Sequence, residues 1–300
     1  MNETTKRVRD QAASSGIDLI EASMTLESMG LDFEVIFAED TTGQEWVCRI
    51  PRRKDVYDKI MEEKRLLDFI RSKQATFEVP IWQIVCDDLI LYKKLTGKPA
   101  VITDPETQEP KWVFDPEAVP ETYITSLGQS LAALHNLPLE EASRAGVNIY
   151  SAEEVKNTLK TRMNKIKNSY TVSDKLWERW QTWVNDKTYW PEHTVMVHGD
   201  LFPGHTLIDD DNRVTGIIDW TEAEGSDPSI DFSAVYMLFG EGGLDKLIEA
   251  YKAAGGRTWP KMKEHTIERL SIQAITIAEF AESSGLEDYR KMAEDMLKGN

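Results

Sequence analysis

The spacing of apolar residues differs between the two parts of this 300-residue chain, and that difference limits the folds open to it. Within residues 24–92 several short runs of apolar positions alternate, as at Phe33, Val35 and Phe37, which is the pattern of a half-buried β-strand. Further along, they recur every third or fourth position, which is the pattern of amphipathic helices. We therefore predict an α+β, bilobal fold, in which a small antiparallel-sheet lobe precedes a larger, mainly helical lobe.

The first lobe, residues 1–95, is predicted to hold one main helix and strands in the order β-β-β-α-β-β. A glycine-containing turn at 41–44 closes a hairpin within it. The individual elements are expected as a polar helix at 4–15, strands at 33–38 and 46–50, the main helix at 56–72, and strands at 81–85 and 89–92.

Residues 96–120 are rich in proline, glycine and charge, which predicts a linker with a surface excursion. The second lobe, residues 121–300, is expected to be helical except at 194–220, where glycine, proline and aspartate interrupt short apolar runs. Its predicted helices lie at about 124–134, 152–168, 174–185, 244–253, 261–283 and 286–298. Functional side chains tend to lie on loops held by a rigid frame, so we expect the chemistry within 194–220.

The charge balance restricts the partners of the chain. Its 35 basic and 52 acidic residues give a formal net charge of −17, which repels a nucleic-acid backbone and attracts cationic small molecules. No apolar stretch approaches the roughly 18 residues that span a bilayer, and residues 1–10 lack the apolar run of a secretory signal. Cys48 and Cys86 lie in apolar runs without metal-binding spacing, so buried, reduced thiols are predicted. We expect a monomeric cytoplasmic protein that binds neither nucleic acid nor membrane.

The segment 198–220 carries the residue types that phosphoryl transfer needs. That reaction requires a group that takes the proton of the attacking hydroxyl, and ligands for a divalent metal that neutralises the phosphates. Asp200, in the run His-Gly-Asp-Leu, is the candidate base, and Asp219 ends an apolar strand as the candidate metal ligand. In protein kinases an asparagine five positions after the loop aspartate also binds metal, and His205 holds that position here.

This arrangement resembles that of the aminoglycoside-phosphotransferase superfamily, small-molecule kinases with a bilobal protein-kinase-like fold. The resemblance extends to Leu127–His135, which looks like the L-G-x-x-L-A-x-L-H helix of that family, and to 227–231, which looks like its D-P-x-x-D segment. It implies a structural role for His135. It also implies that Asp231 anchors the catalytic loop by hydrogen bonds rather than contacting substrate.

Within this superfamily the chain is most similar to the macrolide 2′-phosphotransferases. The most specific elements are the run R-I-P-R-R at 49–53 and the run D-L-x-P-G-H at 200–205. The resemblance implies that the γ-phosphate of GTP, or of ATP, is transferred to the 2′-hydroxyl of the amino sugar of a cationic macrolide antibiotic, which inactivates it. It implies Mg²⁺ as the cofactor.

Two alternatives remain open at this point. The negative charge suits a polycationic aminoglycoside equally well, so the acceptor could be an aminoglycoside or a metabolic sugar or aminoalcohol. A pseudokinase that binds nucleotide without turnover is the other alternative. The presence of both Asp200 and Asp219 argues against it, because such a protein has no chemical need for the two carboxylates.

The resemblance also assigns residues to the nucleotide. Arg49 stands where kinases carry a strand lysine, and its planar fork suits phosphate oxygens. Its expected helix partner is Glu63, with Glu62 as the alternative.

Further nucleotide contacts are expected from a loop and a strand of the first lobe. Ser28 and Gly30 belong to the loop that would cover the phosphates, where glycine allows close backbone approach. The base is expected to hydrogen-bond to the backbone around Leu91 and Tyr92.

The expected metal ligands are His205 and Asp219. Imidazole is a softer ligand than the amide oxygen of asparagine, whereas Mg²⁺ prefers oxygen, so His205 is an unusual choice. It must be neutral to coordinate, and activity is therefore expected to fall in acid.

Two further groups allow two interpretations each. Trp177, Trp180 and Trp183 recur every third residue of one predicted helix, either as core packing or as an aromatic wall for a lactone ring. Glu279 and Glu282 either attract the amine of the substrate or form a solvated helical face.

Overall fold

A five-stranded antiparallel sheet forms the first third of the molecule in a computed structural model, which describes residues 3–27, 33–53, 55–86, 88–104 and 106–299. The strands are Thr25–Glu27 (β1), Phe33–Glu39 (β2), Glu45–Pro51 (β3), Trp82–Cys86 (β4) and Leu89–Lys93 (β5), arranged in the order β1-β2-β3-β5-β4. Helix α1 (Glu3–Ser14) precedes the sheet, and α2 (Asp55–Lys73) connects β3 to β4. The predicted α+β fold is confirmed, and so is the predicted order of elements along this part of the chain, β-β-β-α-β-β.

The two faces of this sheet pack against different partners, because side chains alternate along a strand. On one face Cys48 and Leu91 are buried under Val8 and Ala12 of α1. On the other face Val47 belongs to the large core that continues through α2 into the helical part of the molecule. The same alternation puts the side chain of Arg49, two positions after Val47, on the face away from α1.

The segment 96–120 is more ordered than its composition predicts. It contains Lys98–Pro99 (β6) and a hairpin of Val101–Thr103 (β7) and Pro110–Trp112 (β8). Trp112 packs against Phe114 and Phe239, so the hairpin is fixed to the helical part. The hairpin is the predicted surface excursion. Apolar side chains of this mostly polar segment, such as Trp112, fix it to the helical part.

Eight helices occupy most of the described residues after 120. They are Glu121–His135 (α3), Leu139–Arg144 (α4), Ala152–Ser169 (α5), Asp174–Asn185 (α6), Ser233–Ala253 (α7), Met262–Leu270 (α8), Gln273–Ser284 (α9) and Glu287–Lys298 (α10). Helix α7 begins eleven residues before the predicted start at 244 and is interrupted at Gly240, whose φ is 66°.

The single helix predicted at 261–283 is wrong, because the chain turns between α8 and α9. Ser271 donates a side-chain hydrogen bond to the backbone oxygen of Glu268 and accepts one from Trp180 Nε1. A serine that bonds to the local backbone competes with helix hydrogen bonds, which explains the break.

The tryptophans of α6 belong to a second core. Trp180 and Trp183 are fully buried against α5, α9 and α10, so the core-packing interpretation is correct and the substrate-wall interpretation is wrong. Glu279 pairs with Arg162 at 2.7 Å, and Glu282 is paired as well, which leaves neither carboxylate as the expected attractor of an amine.

The two cysteines differ in environment. Cys48 is buried and its pKa is raised by burial to about 12, as expected for an inert structural thiol. Cys86 is only half-buried, because it lies on the edge strand β4, so its predicted burial is wrong. Both thiols are free. None of the helices in the described ranges is long and apolar enough to cross a membrane.

Short strands form the frame of the segment predicted to carry the chemistry. They are Val195–Val197 (β9), Thr206–Ile208 (β10), Val214–Ile217 (β11) and Glu224–Ser226 (β12). β10 lies between β11 and β6, and β9 pairs with β12. Backbone hydrogen bonds of Glu78 with Thr215 and Ile217 attach this frame to the first part of the chain.

Candidate active site

A buried carboxylate holds the loop that leads to Asp200. Where β9 ends, Asp231 accepts the backbone N–H of His198 at 2.9 Å and that of Gly199 at 3.0 Å. His135 Nε2 lies 3.1 Å from the same carboxylate. The predicted anchoring by Asp231 is confirmed, and so is the structural position of His135, which is buried between Asp231 and the hydroxyl of Tyr251.

The next residue must be glycine for two reasons. The φ of Gly199 is +88°, which side chains other than glycine rarely adopt. A Cβ atom there would lie 2.1 Å from the backbone oxygen of Glu222. The close approach brings the Asp200 loop against the segment that follows Asp219.

His198 links the backbone just before Asp219 to the backbone of Asp200. This role was not predicted from the sequence, although His198 adjoins the motif. Its Nε2 donates to the backbone oxygen of Ile218 at 2.9 Å, and its Nδ1 accepts the backbone N–H of Asp200 at 3.3 Å. These two bonds require a neutral ring, and burial lowers the pKa of His198, which favours that state. The residues before Asp219 and at Asp200 are thus held by one side chain.

Asp219 and His205 converge on one point. His205 Nδ1 lies 2.8 Å from the backbone oxygen of Asp200, and because a carbonyl only accepts, Nδ1 carries the proton. In the neutral ring Nε2 keeps its lone pair, and this atom lies 3.5 Å from Asp219 Oδ2. Thr221 donates to the other oxygen of Asp219 at 2.9 Å.

The backbone of Asp219 is itself constrained. Its φ of 64° is unusual for a residue with a side chain, and such strain clusters at functional sites. It turns the chain sharply after β11.

These groups fit a divalent cation. A histidine that binds metal commonly donates its other ring N–H to a backbone carbonyl, as His205 does to Asp200. Mg²⁺ is usually bound through one or two carboxylates, together with substrate phosphates and water. No set of three or more His, Cys, Asp or Glu side chains converges on a metal position among the described residues. His205 and Asp219 are the candidate protein ligands, and substrate phosphates and water would fill the other positions around the ion.

Asp200 keeps an accessible carboxylate, 62 % exposed, at the edge of this group. Partial desolvation raises its pKa above the ordinary aspartate value, His205 lowers it, and the nearby charge of Asp219 raises it again. A carboxylate with a raised pKa takes up a proton more readily than an ordinary one, which suits a general base.

Arg49 and Glu63 form a buried ion pair. The distance from Arg49 NH1 to Glu63 Oε1 is 2.6 Å, and the guanidinium stacks on the ring of Phe33 at 3.9 Å. Glu62 is exposed, so Glu63 is the partner, as expected. This pair fixes a cation at the wall of a cleft that also contains Asp219.

That cleft encloses about 500 Å³ between the sheet and the catalytic loop. Tyr92 lines it, whereas the side chain of Leu91 faces the opposite side of the sheet. Ser28 and Gly30 lie outside the described residues. The remaining wall of the cleft is mostly apolar and includes Val35, Phe37 and Leu207. Such a wall suits the flat aromatic base of a nucleotide.

A second and larger cavity, of about 1150 Å³, lies on the other side of Asp200. The two cavities share Asp200 and Pro99. The large apolar residues in its wall are Leu26, Val101, Ile102, Trp112, Leu201, Phe202, Ile230, Met237, Leu238, Leu270 and Ile272. Among the described residues that line it, Asp200 is the one carboxylate.

Most of these wall residues were not identified from the sequence. Ile102 and Trp112 come from the hairpin of the supposed linker, and Met237 and Leu238 come from the turn before the break in α7. For the hairpin, the available signal was two apolar side chains in otherwise polar surroundings, whereas Met237 and Leu238 lie in an apolar run that does not set them apart. Ile102 is 48 % exposed and Met237 49 % exposed, because both face the open cavity.

The chain is similar to known proteins over most of its length. The profile described as the phosphotransferase enzyme family matches residues 25–265. A protein of Bacillus subtilis (strain 168), named Uncharacterized protein YcbJ, is 39% identical over 286 residues, which cover 95% of this chain and 93% of that protein.

Two solved structures superpose over nearly the whole chain. A structure titled macrolide 2′-phosphotransferase type I has a TM-score of 0.88 at 37% identity and covers 99% of this chain and 98% of its own. The apoenzyme of macrolide 2′-phosphotransferase MphH from Brachybacterium faecium has a TM-score of 0.91 at 32% identity, with the same coverage of 99% and 98%.

Proposed function

The chain belongs to the phosphotransferase enzyme family, and from this premise we propose that it transfers the γ-phosphate of GTP or ATP to the 2′-hydroxyl of the amino sugar of a macrolide antibiotic. The enzyme is a phosphotransferase that acts on hydroxyl groups and is similar to macrolide 2′-phosphotransferases. Phosphorylation would add negative charge to the sugar and so inactivate the drug.

The apolar wall of the larger cavity carries this proposal. A macrolide is a large, mostly apolar ring with one amino sugar, and an apolar wall with a single carboxylate is complementary to it. An aminoglycoside carries several ammonium groups, each of which would need a carboxylate or an equivalent acceptor when desolvated. Among the described lining residues Asp200 is the one carboxylate that could do so, and this described wall therefore favours the macrolide over the aminoglycoside.

Asp200 is proposed as the general base. It is the carboxylate that both cavities share, so it lies where an acceptor in one would meet a phosphate in the other. Its backbone is held by His198 and His205, which limits the orientations of the carboxylate. Asp200 would take the proton of the 2′-hydroxyl as that oxygen attacks the γ-phosphorus and the bond to the β-phosphate breaks.

The smaller cleft is proposed to bind the nucleotide. The pair of Arg49 and Glu63 would fix a cation at the phosphates, while Tyr92 and the apolar wall would contact the base. Asp219 and His205 would hold Mg²⁺, which supplies charge neutralisation at the phosphates when it is bound. The resemblance to macrolide 2′-phosphotransferases supports GTP as the preferred donor, and ATP as a second one.

We also propose a monomer that acts in the cytoplasm. Both cavities are lined by one chain, so the described site needs no second copy. The reaction needs a nucleoside triphosphate and Mg²⁺, which the cytoplasm provides.

One assay separates the candidate functions. The protein is incubated with Mg²⁺ and either GTP or ATP, together with erythromycin, kanamycin or no acceptor, and the mass of each acceptor is followed. We expect erythromycin to gain one phosphate and kanamycin to remain unchanged. Phosphorylation of kanamycin alone would contradict the macrolide proposal, and so would nucleotide binding without any acceptor gain, which would leave a pseudokinase or a kinase for another alcohol.

A further inference from the structure

Two opposite charges face the larger cavity from different elements. Asp200 comes from the loop after β9, and Arg269 comes from the last turn of α8. Among the described lining residues, Arg269 is the one lysine or arginine, as Asp200 is the one carboxylate. The two side chains form no ion pair with each other in the part of the chain that the structure describes, so the carboxylate of Asp200 and the N–H groups of Arg269 can each bond to a ligand in the cavity.

Arg269 is held in place from behind. The break between α8 and α9 places Arg269 and Leu270 in the cavity wall. Arg269 NH1 donates to Asp227 Oδ2 at 3.0 Å, and its side chain is 15 % exposed. A guanidinium fixed in this way loses little further conformational entropy when it binds an acceptor.

Asp227 depends on Arg269 for its charge balance. His265 Nε2 lies 2.7 Å from Asp227, but His265 Nδ1 accepts a hydrogen bond from Trp183 Nε1, so the imidazole is neutral. Burial alone would raise the pKa of Asp227, yet His265 and Arg269 keep it below the ordinary range. The carboxylate is therefore ionised, and Arg269 carries the compensating charge.

The guanidinium has donors left over for a ligand. It carries several N–H groups, of which one is used by Asp227 among the described residues. The partly exposed remainder lies in a wall whose large side chains are mostly apolar, where a hydrogen bond to a charged donor is stronger than in water.

We propose that Arg269 determines substrate specificity by donating hydrogen bonds to the carbonyl and hydroxyl oxygens of the macrolactone, which directs the amino sugar toward Asp200. This inference rests on the proposed function and adds an orientation to it. The ammonium group is attracted by Asp200, whereas the uncharged oxygens of the ring are suited to the N–H groups of Arg269, whose charge is balanced by Asp227. A second ammonium group at that end of a substrate could accept no hydrogen bond from the guanidinium.

The test compares Arg269 with a second residue that bonds to the same carboxylate oxygen, Asp227 Oδ2. Arg269→Lys keeps the positive charge but loses the planar fork, and Arg269→Met removes both. His265→Gln is the matched control, because His265 also donates to Asp227 yet does not line the cavity. For each variant the KM for erythromycin, the KM for the nucleotide, kcat and the melting temperature are measured.

We expect both Arg269 variants to raise the KM for erythromycin about tenfold or more, with kcat and the nucleotide KM changed by less than about twofold. His265→Gln should lower the melting temperature and leave the erythromycin KM near that of the wild type. An equal rise in His265→Gln, or an unchanged KM in Arg269→Lys, would show that Arg269 acts only through Asp227. A wild type that phosphorylates no macrolide would overturn the proposed function, and this inference with it.

Discussion

His205 shows how the partner of one ring nitrogen sets the chemistry of the other. Its Nδ1–H donates to the backbone oxygen of Asp200. In the neutral ring Nε2 therefore keeps a lone pair, and this atom lies near the carboxylate of Asp219. Protonation would place a hydrogen on Nε2 and remove its capacity to bind a metal. Asparagine at this position would keep an oxygen ligand without a titrating group.

We therefore expect His205→Asn to retain activity to lower pH than the wild type. The measurement is kcat against pH at saturating Mg²⁺, with a magnesium titration at each pH. In wild type the half-saturating Mg²⁺ concentration should rise as the pH falls, and in the variant this rise should be smaller. An identical acid limb in both proteins would exclude His205 as a metal ligand.

Asp200 makes a separate prediction. Asp200→Ala should lower kcat at least about 100-fold, which is the low end of general-base contributions. Asp211→Asn is the matched control, because it removes one exposed acidic charge from a loop away from both cavities. Nucleotide binding by calorimetry should be retained in Asp200→Ala. Turnover within about tenfold of the wild type would contradict the role of Asp200.

The pH dependence of Asp200 has a definite sign. A base must be unprotonated, and desolvation raises the pKa of this carboxyl. Activity should therefore be lost as the pH falls through a value above the ordinary aspartate pKa of about 3.9. The acid limb that persists in His205→Asn should report this group.

At the scale of elements, the loop between β9 and β10 is positioned by close backbone contact as well as by side chains. Gly199 combines a left-handed backbone with a Cβ position 2.1 Å from the oxygen of Glu222. Gly255 has a similar φ of +89°, but nothing lies within 4 Å of its Cβ position. Alanine at Gly255 would therefore introduce backbone strain alone, whereas alanine at Gly199 would also introduce a steric clash.

Gly255→Ala should lower the free energy of unfolding by about 1 to 2 kcal/mol, the strain of a left-handed alanine. Gly199→Ala should lower it by about 2 to 5 kcal/mol, because the loop must also move away from Glu222. Since Asp200 is the next residue, kcat should fall at least about tenfold in Gly199→Ala and remain near that of the wild type in Gly255→Ala. Chemical denaturation and steady-state assays provide both values. Equal losses in the two variants would mean that the contact with Glu222 does not position the loop.

Site residues that lie in one element could be predicted from the sequence, whereas those brought together from several elements could not. Asp200, Asp219 and Arg49 could be proposed from the sequence because each lies in a linear run whose spacing is set by one loop or strand. The cavity wall could not be found in this way, since Ile102, Met237 and Leu270 come from a hairpin, a helix and a helix end that meet only in three dimensions. The break after α8 was missed for a related reason. Ser271, at the break, accepts a hydrogen bond from Trp180, and the spacing of apolar residues does not predict such a contact.

At the scale of the whole molecule, the two cavities are joined by the connection between the sheet and the helical part. β6 pairs with β10, and the backbone of Glu78 is bonded to that of Thr215 and Ile217. Pro99, in β6, lines both cavities. The strand that leaves the first part of the chain therefore forms a shared wall between them, and Asp200 lies at their junction.

The net charge of −17 would act on the two proposed substrates in opposite directions. A cationic macrolide would be attracted by the negative field, whereas an anionic nucleotide would be repelled by it until it reached the proposed phosphate contact, Arg49. Salt screens both effects, because the Debye length falls from about 30 Å at 0.01 M to about 8 Å at 0.15 M ionic strength.

We therefore expect kcat/KM for erythromycin to fall at least about threefold between these ionic strengths, mainly through KM. Under the same conditions kcat/KM for the magnesium-bound nucleotide should stay constant or rise, which makes the second substrate the control for general effects of salt. The measurement is steady-state kinetics in potassium chloride, with one substrate varied and the other saturating. A parallel fall for both substrates would mean that salt acts on the enzyme itself, and that the negative surface does not attract the macrolide.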